Sequence, residues 1–254
     1  MTAPGPHIRV KGLEMGYGGR VIMRNVSFEV SRGSVFVIMG GSGCGKSTLM
    51  RHLLGLLPPV RGSVEVGGVD IWSVGPVQRS LMLERSGVLF QSGALWSSMT
   101  IGENVALPLQ EFTRLTTGEI EHMVSFKLAL VGLAGCEPLY PAQLSGGMQK
   151  RAGLARALVL DPEILFCDEP SAGLDPISAR RLDDLIATVS RSLGTTVVMV
   201  THELASIFAI GTDAIFLDTE TRTLIAHGRP GELRDSCPHP AVRQFLNGGR
   251  DGTT

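Results

Sequence analysis

The sequence predicts an α/β fold: a parallel strand–turn–helix core, preceded by antiparallel strands and interrupted by a helical insert. Three observations predict it. The apolar run SVFVIM (34–39) leads into a Gly-rich turn and then into KSTLMRHLLGLL (46–57), the opening of a βαβ unit. The runs EILFC (163–167) and TTVVMV (195–200) are short, apolar and rich in β-branched residues, as strands buried on both faces are. Between them, DPISARRLDDLIATVSRSLG reads as a helix with Asp175 as N-cap, Pro176 in the first turn and Gly194 past its end.

The elements follow in order. HIRVKGLEM (7–15) and VIMRNVSFEV (21–30) flank the turn GYGG, and Val26, Phe28 and Val30 alternate with polar residues as on a half-buried antiparallel strand. The helix after the Gly-rich turn is expected to stop at Pro58-Pro59. Residues 62–71 read as a hairpin with Gly67-Gly68 at its turn, and SGVLFQ (86–91) as another strand. Thr116-x-x-Glu119 is a capping box opening a helix that carries Ile120, Met123, Val124, Leu128 and Val131 on one face. A second helix spans roughly 146–159 and stops before Pro162; the tail PHPAVRQFLNGGRDGTT holds one short helix and a polar end.

Composition narrows the function. The 254 residues suit one large α/β domain or two small ones. The 23 basic and 24 acidic side chains leave a net charge of −1, so no nucleic-acid partner is expected. The four cysteines are scattered without a CxxC pair, which fits free thiols in a reducing compartment. Mean hydropathy is +0.20, yet no apolar run approaches the ~20 residues of a membrane span. The N-terminus lacks a signal-peptide stretch, so a cytoplasmic chain is expected. The 32 glycines imply either many turns or backbone held close to a ligand.

The Gly-rich turn favours the ligand. Gly40-Gly41-Ser42-Gly43-Cys44-Gly45-Lys46-Ser47, followed by Thr48, fits G-x-x-x-x-G-K-[ST] between a strand and a helix. Such a loop turns successive N–H groups inward as a nest for phosphate, and the helix N-terminus adds partial positive charge. Lys46 is then expected on the β- and γ-phosphates, and the Ser47 hydroxyl on Mg²⁺. Cys44 reads as a small filler whose pKa the surrounding N–H groups and Lys46 would lower. The strand at 163–167 runs into Asp168-Glu169. Asp168 is placed to organise Mg²⁺ and Glu169 to act as general base toward water.

Kinases, GTPases, helicases and transporter ATPases all carry such loops. Leu144-Ser145-Gly146-Gly147-Met148-Gln149, about 20 residues before the Asp-Glu pair, separates them. LSGGMQ resembles the signature motif of the ABC (ATP-binding cassette) ATPases, and the resemblance covers nearly the whole chain. It implies an ABC-type phosphate-loop NTPase fold: a RecA-like core with an antiparallel β subdomain and a helical signature subdomain. It also implies a head-to-tail dimer, in which ATP on one phosphate loop is covered by Ser145, Gly146 and Gly147 of the second copy. By the same resemblance Tyr17 stacks on adenine, Gln91 ligates Mg²⁺ and senses the γ-phosphate, the loop Ser171–Asp175 meets the opposite protomer, and His202 meets the γ-phosphate. Gly16, Gly18, Gly19, Gly93 and Gly173 flank these loops. Domain bounds follow: one ATP-binding domain over 1–250, with core segments near 1–99 and 160–235, a helical subdomain near 100–159, and a C-terminal extension over 236–254.

The family places its interaction groove just after the glutamine loop, here Ser92–Thr100. Leu95, Trp96 and Met99 read either as a docking site for a helix of a membrane permease or as residues tucked into the helical insert. FQSGALW and ENVALPLQE resemble the ATPases of the Mce/Mla-type lipid transporters, and HPAVRQFLNG resembles that group's C-terminal extension, which reaches the partner ATPase. The resemblance implies a peripheral ATPase on the cytoplasmic side of a bacterial inner membrane. Its companions would be a permease, an MCE-domain protein and a STAS-domain protein, and its cargo phospholipid or another lipid moved between membranes. The alternatives are an ATPase for amino acids, metal ions or another small solute, and a soluble regulatory ABC ATPase.

Overall fold

A computed structural model describes residues 5–17 and 20–249; Gly18 and Gly19, expected at the first turn, lie outside these, as does the side chain of Tyr17. The chain divides into two units, residues 1–83 with 196–254, and residues 84–195.

In the first unit β1 (Ile8–Tyr17) and β2 (Arg20–Val30) pair antiparallel. They join β4 (Arg61–Val66) and β5 (Val69–Asp70) in a four-stranded sheet of order β2-β1-β4-β5. Val26, Phe28 and Val30 are buried while Ser27 and Glu29 are exposed, as the alternation requires. Gly67 and Gly68 both have positive φ (59° and 85°), which makes the β4–β5 hairpin turn the primed type that suits strand twist. A second layer centres on β3 (Val35–Gly40), buried throughout and parallel to both β8 (Thr196–Val200) and β9 (Asp213–Asp218); β10 (Thr223–Gly228) pairs antiparallel with β9. The layers meet where Phe28 stacks on Phe36 at 5.2 Å between ring centroids.

α1 (Lys46–Leu53) ends earlier than the prolines suggest. Gly55 adopts φ 63°; its N–H reaches the His52 carbonyl at 3.1 Å, and the Leu56 N–H reaches that of Arg51 at 2.9 Å. This is a Schellman cap, so a left-handed glycine stops the helix before Pro58 can. α2 (Pro76–Leu83), not foreseen from the sequence, has no buried residue. Helices α7 (Leu204–Ile210), α8 (Pro230–Ser236) and α9 (Pro240–Leu246) complete the unit. The described part of the tail packs on its own unit: Val242 and Leu246 are buried, and Phe245 meets Phe216 of β9 edge-on at 5.3 Å. An amphipathic turn lays its apolar face on its own unit because that face has core to cover.

In the second unit β6 (Ser86–Leu89) and β7 (Ile164–Asp168) run parallel. β6 is shorter than the 86–91 expected. The segment expected to be a helical insert holds α3 (Ile101–Phe112), α4 (Thr117–Leu130), a 3₁₀ turn (Pro141–Gln143) and α5 (Gly146–Ala157); α6 (Pro176–Leu193) follows β7. α4 starts with the anticipated Thr116–Glu119 capping box and buries Ile120, Val124 and Leu128, whereas Met123 is half-buried. Lys127, on the same helix, is also buried, its ammonium paired with the Asp161 carboxylate. α3 lies inside the helical subdomain expected near 100–159 but has no clear period of its own: Asn104 breaks its apolar stripe and Pro108 removes a backbone donor.

Replacing both Val242 and Leu246 by Ala should lower stability by about 3 kcal/mol or more, from lost burial plus cavity. Denaturant titration of the two proteins measures this; an unchanged midpoint would show α9 to be a passive tail.

Candidate active site

The phosphate loop joins the end of β3 to α1. Gly40 has φ 146°, and a Cβ there would meet the Leu217 carbonyl oxygen at 2.4 Å and Cys44 Sγ at 2.6 Å. Only glycine lets the strand leave its parallel neighbour β9 at this point. At Gly41, by contrast, a Cβ would meet nothing within 4 Å. Gly45 is the N-cap of α1, left-handed at φ 92°, and no side chain caps the helix. The N–H groups of Gly45, Lys46, Ser47 and Thr48 therefore have no helical carbonyl and no capping side chain, which is the donor set that an anion needs. Lys46 Nζ donates to the carbonyls of Gly40 at 2.8 Å and Gly41 at 2.9 Å, so its charge sits over the loop. Ser42 and Ser47 are exposed.

Cys44 is the buried filler the sequence suggests, but the lowered pKa expected of it is not found. It is 1% exposed, with Sγ 3.8 Å from Lys46 Nζ. Burial pushes the thiol pKa up, and the opposing pull of Lys46 does not overcome it. The residue fills space under the loop and is not an activated nucleophile.

His202 lies two residues beyond β8, whose Val200 pairs with Ile38 of β3. The phosphate loop and His202 thus emerge from the same ends of adjacent parallel strands, where ligands bind in open α/β sheets. His202 is exposed, with Nε2 3.9 Å from Glu203 Oε1.

The second unit repeats this logic. Leu89 of β6 pairs with Cys167 of β7, so Gln91 and the Asp168-Glu169 pair leave the same ends of adjacent parallel strands. Glu169 has φ 48°, a left-handed conformation costly for a non-glycine residue, of the kind that collects at functional sites. Burial pushes the Cys167 thiol far up, so it stays protonated. Ser145 is the N-cap of α5, its Oγ accepting the Met148 N–H at 3.3 Å. A Cβ on Gly147 would meet Ser178 of α6 at 3.2 Å, so the α5 and α6 N-termini lie together. Asp175 caps α6, accepting the N–H groups of Ser178 at 3.0 Å and Ile177 at 3.1 Å. Hydrogen bonding at Ser178 holds its carboxyl below the usual range.

Residues to which the sequence reading gave no such role hold these loops. Arg156 donates to the Gly93 and Ala94 carbonyls at 3.0 and 2.9 Å, tying the segment after Gln91 to α5. A Cβ on Gly153 would meet Gly93 Cα at 3.0 Å, so α5 and that loop touch backbone to backbone. Gln149 Nε2 bonds the carbonyls of Pro141 and Leu144, and buried Lys150 bonds that of Ala172, linking the signature helix to the loop before Asp175. Asn104, 0% exposed, accepts the Trp96 N–H at 2.7 Å and donates to the carbonyls of Trp96, Met99 and Thr100. A buried Asn in an apolar helix was the available signal. On the loop it shapes, Trp96 is 60% exposed, while Leu95 and Met99 are half-buried.

The sequence model of the ABC transporter family matches residues 23–172. This chain belongs to the ABC transporter family. It is the ATP-hydrolysing cassette of such a transporter. The cassette is 42% identical over 248 residues to a probable ribonucleotide transport ATP-binding protein, Mkl, of Mycobacterium leprae, covering 98% of this chain and 71% of that protein. It is 40% identical to the intermembrane phospholipid transport system ATP-binding protein MlaF of Escherichia coli K12, covering 92% of this chain and 86% of MlaF. Among solved structures, the cassette resembles the dimeric bacterial ABC transporter cassette MJ0796 with a TM-score of 0.79 and 28% identity, over 87% of this chain and 98% of that one. A post-hydrolysis dimer of MJ0796 bound to ADP and Pi matches with a TM-score of 0.77 and 27% identity, over 87% of this chain and 98% of that one.

Two measurements check the site's framework. Iodoacetamide should label Cys44 of the native cassette at least about tenfold more slowly than in denaturant, because a buried, protonated thiol is a poor nucleophile; equal rates would contradict the buried loop. Asn104→Ala should cost about 1–3 kcal/mol by leaving buried groups unpaired, and should speed amide exchange at Trp96 and Met99. Unchanged exchange would show that the loop is held by something else.

Proposed function

We propose that this ABC ATPase powers lipid transport, working as one of a pair of cassettes attached to a membrane permease. The observation that carries the cargo is identity to phospholipid transport ATP-binding proteins: 40% to MlaF of E. coli and 39% to MlaF of Haemophilus influenzae, the latter over 96% of this chain. The 42% identity to Mkl keeps ribonucleotide transport as a second reading. An MCE-domain protein and a STAS-domain protein are the proposed companions, and the cytoplasmic face of an inner membrane the proposed location. Among the described residues no helix is long and apolar enough to cross a membrane.

In this reading the N–H groups of Gly41, Gly43, Cys44, Gly45, Lys46, Ser47 and Thr48, with Ser42, cradle the phosphates. Lys46 neutralises the β- and γ-oxygens, and Tyr17 stacks on adenine. Among the described residues no group of three or more His, Cys, Asp or Glu could hold a metal ion. That fits Mg²⁺, which prefers one or two carboxylates supplemented by substrate phosphate and water to an all-protein cage. Ser47, Gln91 and Asp168 would hold it, and when bound it neutralises charge on the phosphate oxygens. Glu169 takes the proton from the attacking water, while His202 and Gln91 orient the γ-phosphate end. Ser145, Gly146 and Gly147 of a second copy close over the nucleotide, with Asp175 and its loop at the same dimer contact. Trp96, held outward by the Asn104 network, is the proposed contact for the permease.

Glu169→Gln should lower turnover by about 10²–10⁴-fold, the usual yield of a general base, and leave ATP binding intact. Lys46→Ala should weaken nucleotide binding itself. A hydrolysis assay beside equilibrium binding separates the two, and an unchanged rate in Glu169→Gln refutes the base. The complex purified from membranes should carry phospholipid by mass spectrometry; ribonucleotide without lipid would overturn the lipid reading and favour the second one.

A further inference from the structure

The turn after β7 is held in a conformation that it would not keep alone. Glu169 sits at φ 48°, a left-handed backbone that persists in a residue with a side chain only where its surroundings fix it. Glu169, Pro170, Ser171 and Ala172 form a turn closed by the Ala172 N–H on the Glu169 carbonyl at 3.3 Å, a long bond of its kind. Pro170, in the second position, presets its own φ. Pro170 and Ser171 are buried.

A further hold comes from α5. Lys150 Nζ donates to the Ala172 carbonyl, so the residue that closes the turn with its N–H is gripped through its oxygen as well. The lysine is 7% exposed. Its stem starts from a fixed point: a Cβ on Gly93 would meet the Gln149 carbonyl oxygen at 3.1 Å and Lys150 Cα at 3.8 Å, so this part of α5 packs against the segment after Gln91. Taking an ammonium out of water is costly, and an apolar side chain of equal length would fill the same space without that cost. What the lysine adds is a charge-assisted bond to the turn.

We propose that Lys150 is a positioning residue for hydrolysis: by holding Ala172 it keeps the turn 169–172 closed, and with it the Glu169 carboxylate in place to meet water. This rests on the reading of Glu169 as the general base. In this role Lys150 acts through the backbone that carries the base, not on the nucleotide. Such an indirect hold matters because a shift of about 1 Å in a reacting group can lower a rate by about 10²-fold.

The test is a double-mutant cycle in the complex purified from membranes, read by single-turnover hydrolysis and by equilibrium binding of ATP. Lys150→Met keeps the length and removes the donor; it should lower the hydrolysis rate by about 10–100-fold, with ATP affinity within about twofold of the parent. Lys150→Arg keeps the charge and the donors and should bring the rate back to within about threefold of the parent. Because the loss runs through Glu169, adding Lys150→Met to Glu169→Gln should cost less than about twofold further. Amide exchange at Ala172 should quicken in Lys150→Met, while that at Met148 stays as in the parent. Should Lys150→Met not assemble, Lys150→Gln takes its place in each arm; failure of both overturns the inference in favour of a structural role. A parental rate in Lys150→Met, a loss that Lys150→Arg does not repair, or a full further loss in the Glu169→Gln background overturns the inference and leaves the general base standing. A parental rate in Glu169→Gln removes the base and this inference together.

Discussion

Much of the first unit depends on the backbone of Gly40 passing the Leu217 carbonyl. A Cβ there would meet that oxygen at 2.4 Å. The constraint arises because β3 is paired with β8 as far as Ile38 and with β9 through its last residue, Gly40. A strand held so late must turn within one residue, and only a residue without a side chain can do it. The loop that follows is short, so α1 begins with its N–H groups pointed back across the strand end. Lys46, first in the helix, then reaches the Gly40 and Gly41 carbonyls. The cluster of free N–H groups with Lys46 over it is thus a consequence of strand pairing, not an addition to it.

In the second unit the comparable constraint is α5. Its residues hold three loops at once: Gln149 the signature turn, Lys150 the loop before Asp175, and Arg156 the segment after Gln91. Lys150 is 7% exposed and donates to a carbonyl, and Arg156, half-buried by its surroundings, has its pKa lowered by burial alone. Placing these cations in a partly desolvated position is costly unless hydrogen bonds offset it. Those bonds go to loop carbonyls, so a displacement of the segment after Gln91 leaves the Arg156 guanidinium poorly solvated. The three loops should therefore move as one body with α5.

The fold was legible where residues state their own geometry. Asp175-Pro176 with Gly194, the Thr116–Glu119 box and Gly67-Gly68 each fixed an element end, because caps and primed turns need particular residue types. The phosphate loop was legible for the same reason. What was hidden was held by tertiary contact. α3 lost its period to Asn104 and Pro108, yet Asn104 earns its place only through carbonyls on a loop several residues away. The depressed thiol pKa expected at Cys44 counted the neighbouring charge and omitted burial, which no local pattern reports. α2 was invisible because Val77 and Leu81 are exposed and none of its residues is fully buried, so no inward stripe marks it.

The two glycine-rich helix starts differ in a way that separates their duties. α1 begins at an uncapped Gly45, and its N–H groups have no side-chain partner. α5 begins at Ser145, whose hydroxyl already serves the Met148 N–H. With glycine at the N-cap, α1 gives up only a few tenths of a kcal/mol relative to a capping side chain, and its free N–H groups remain available to an anion. A capped start stands without a ligand. The first arrangement suits a helix that takes nucleotide early and tightly. The second suits a surface that must stay ordered in water until another molecule brings the phosphate to it. That asymmetry is compatible with the proposal that the α1 start takes this chain's own nucleotide and the α5 start meets one delivered by a second copy.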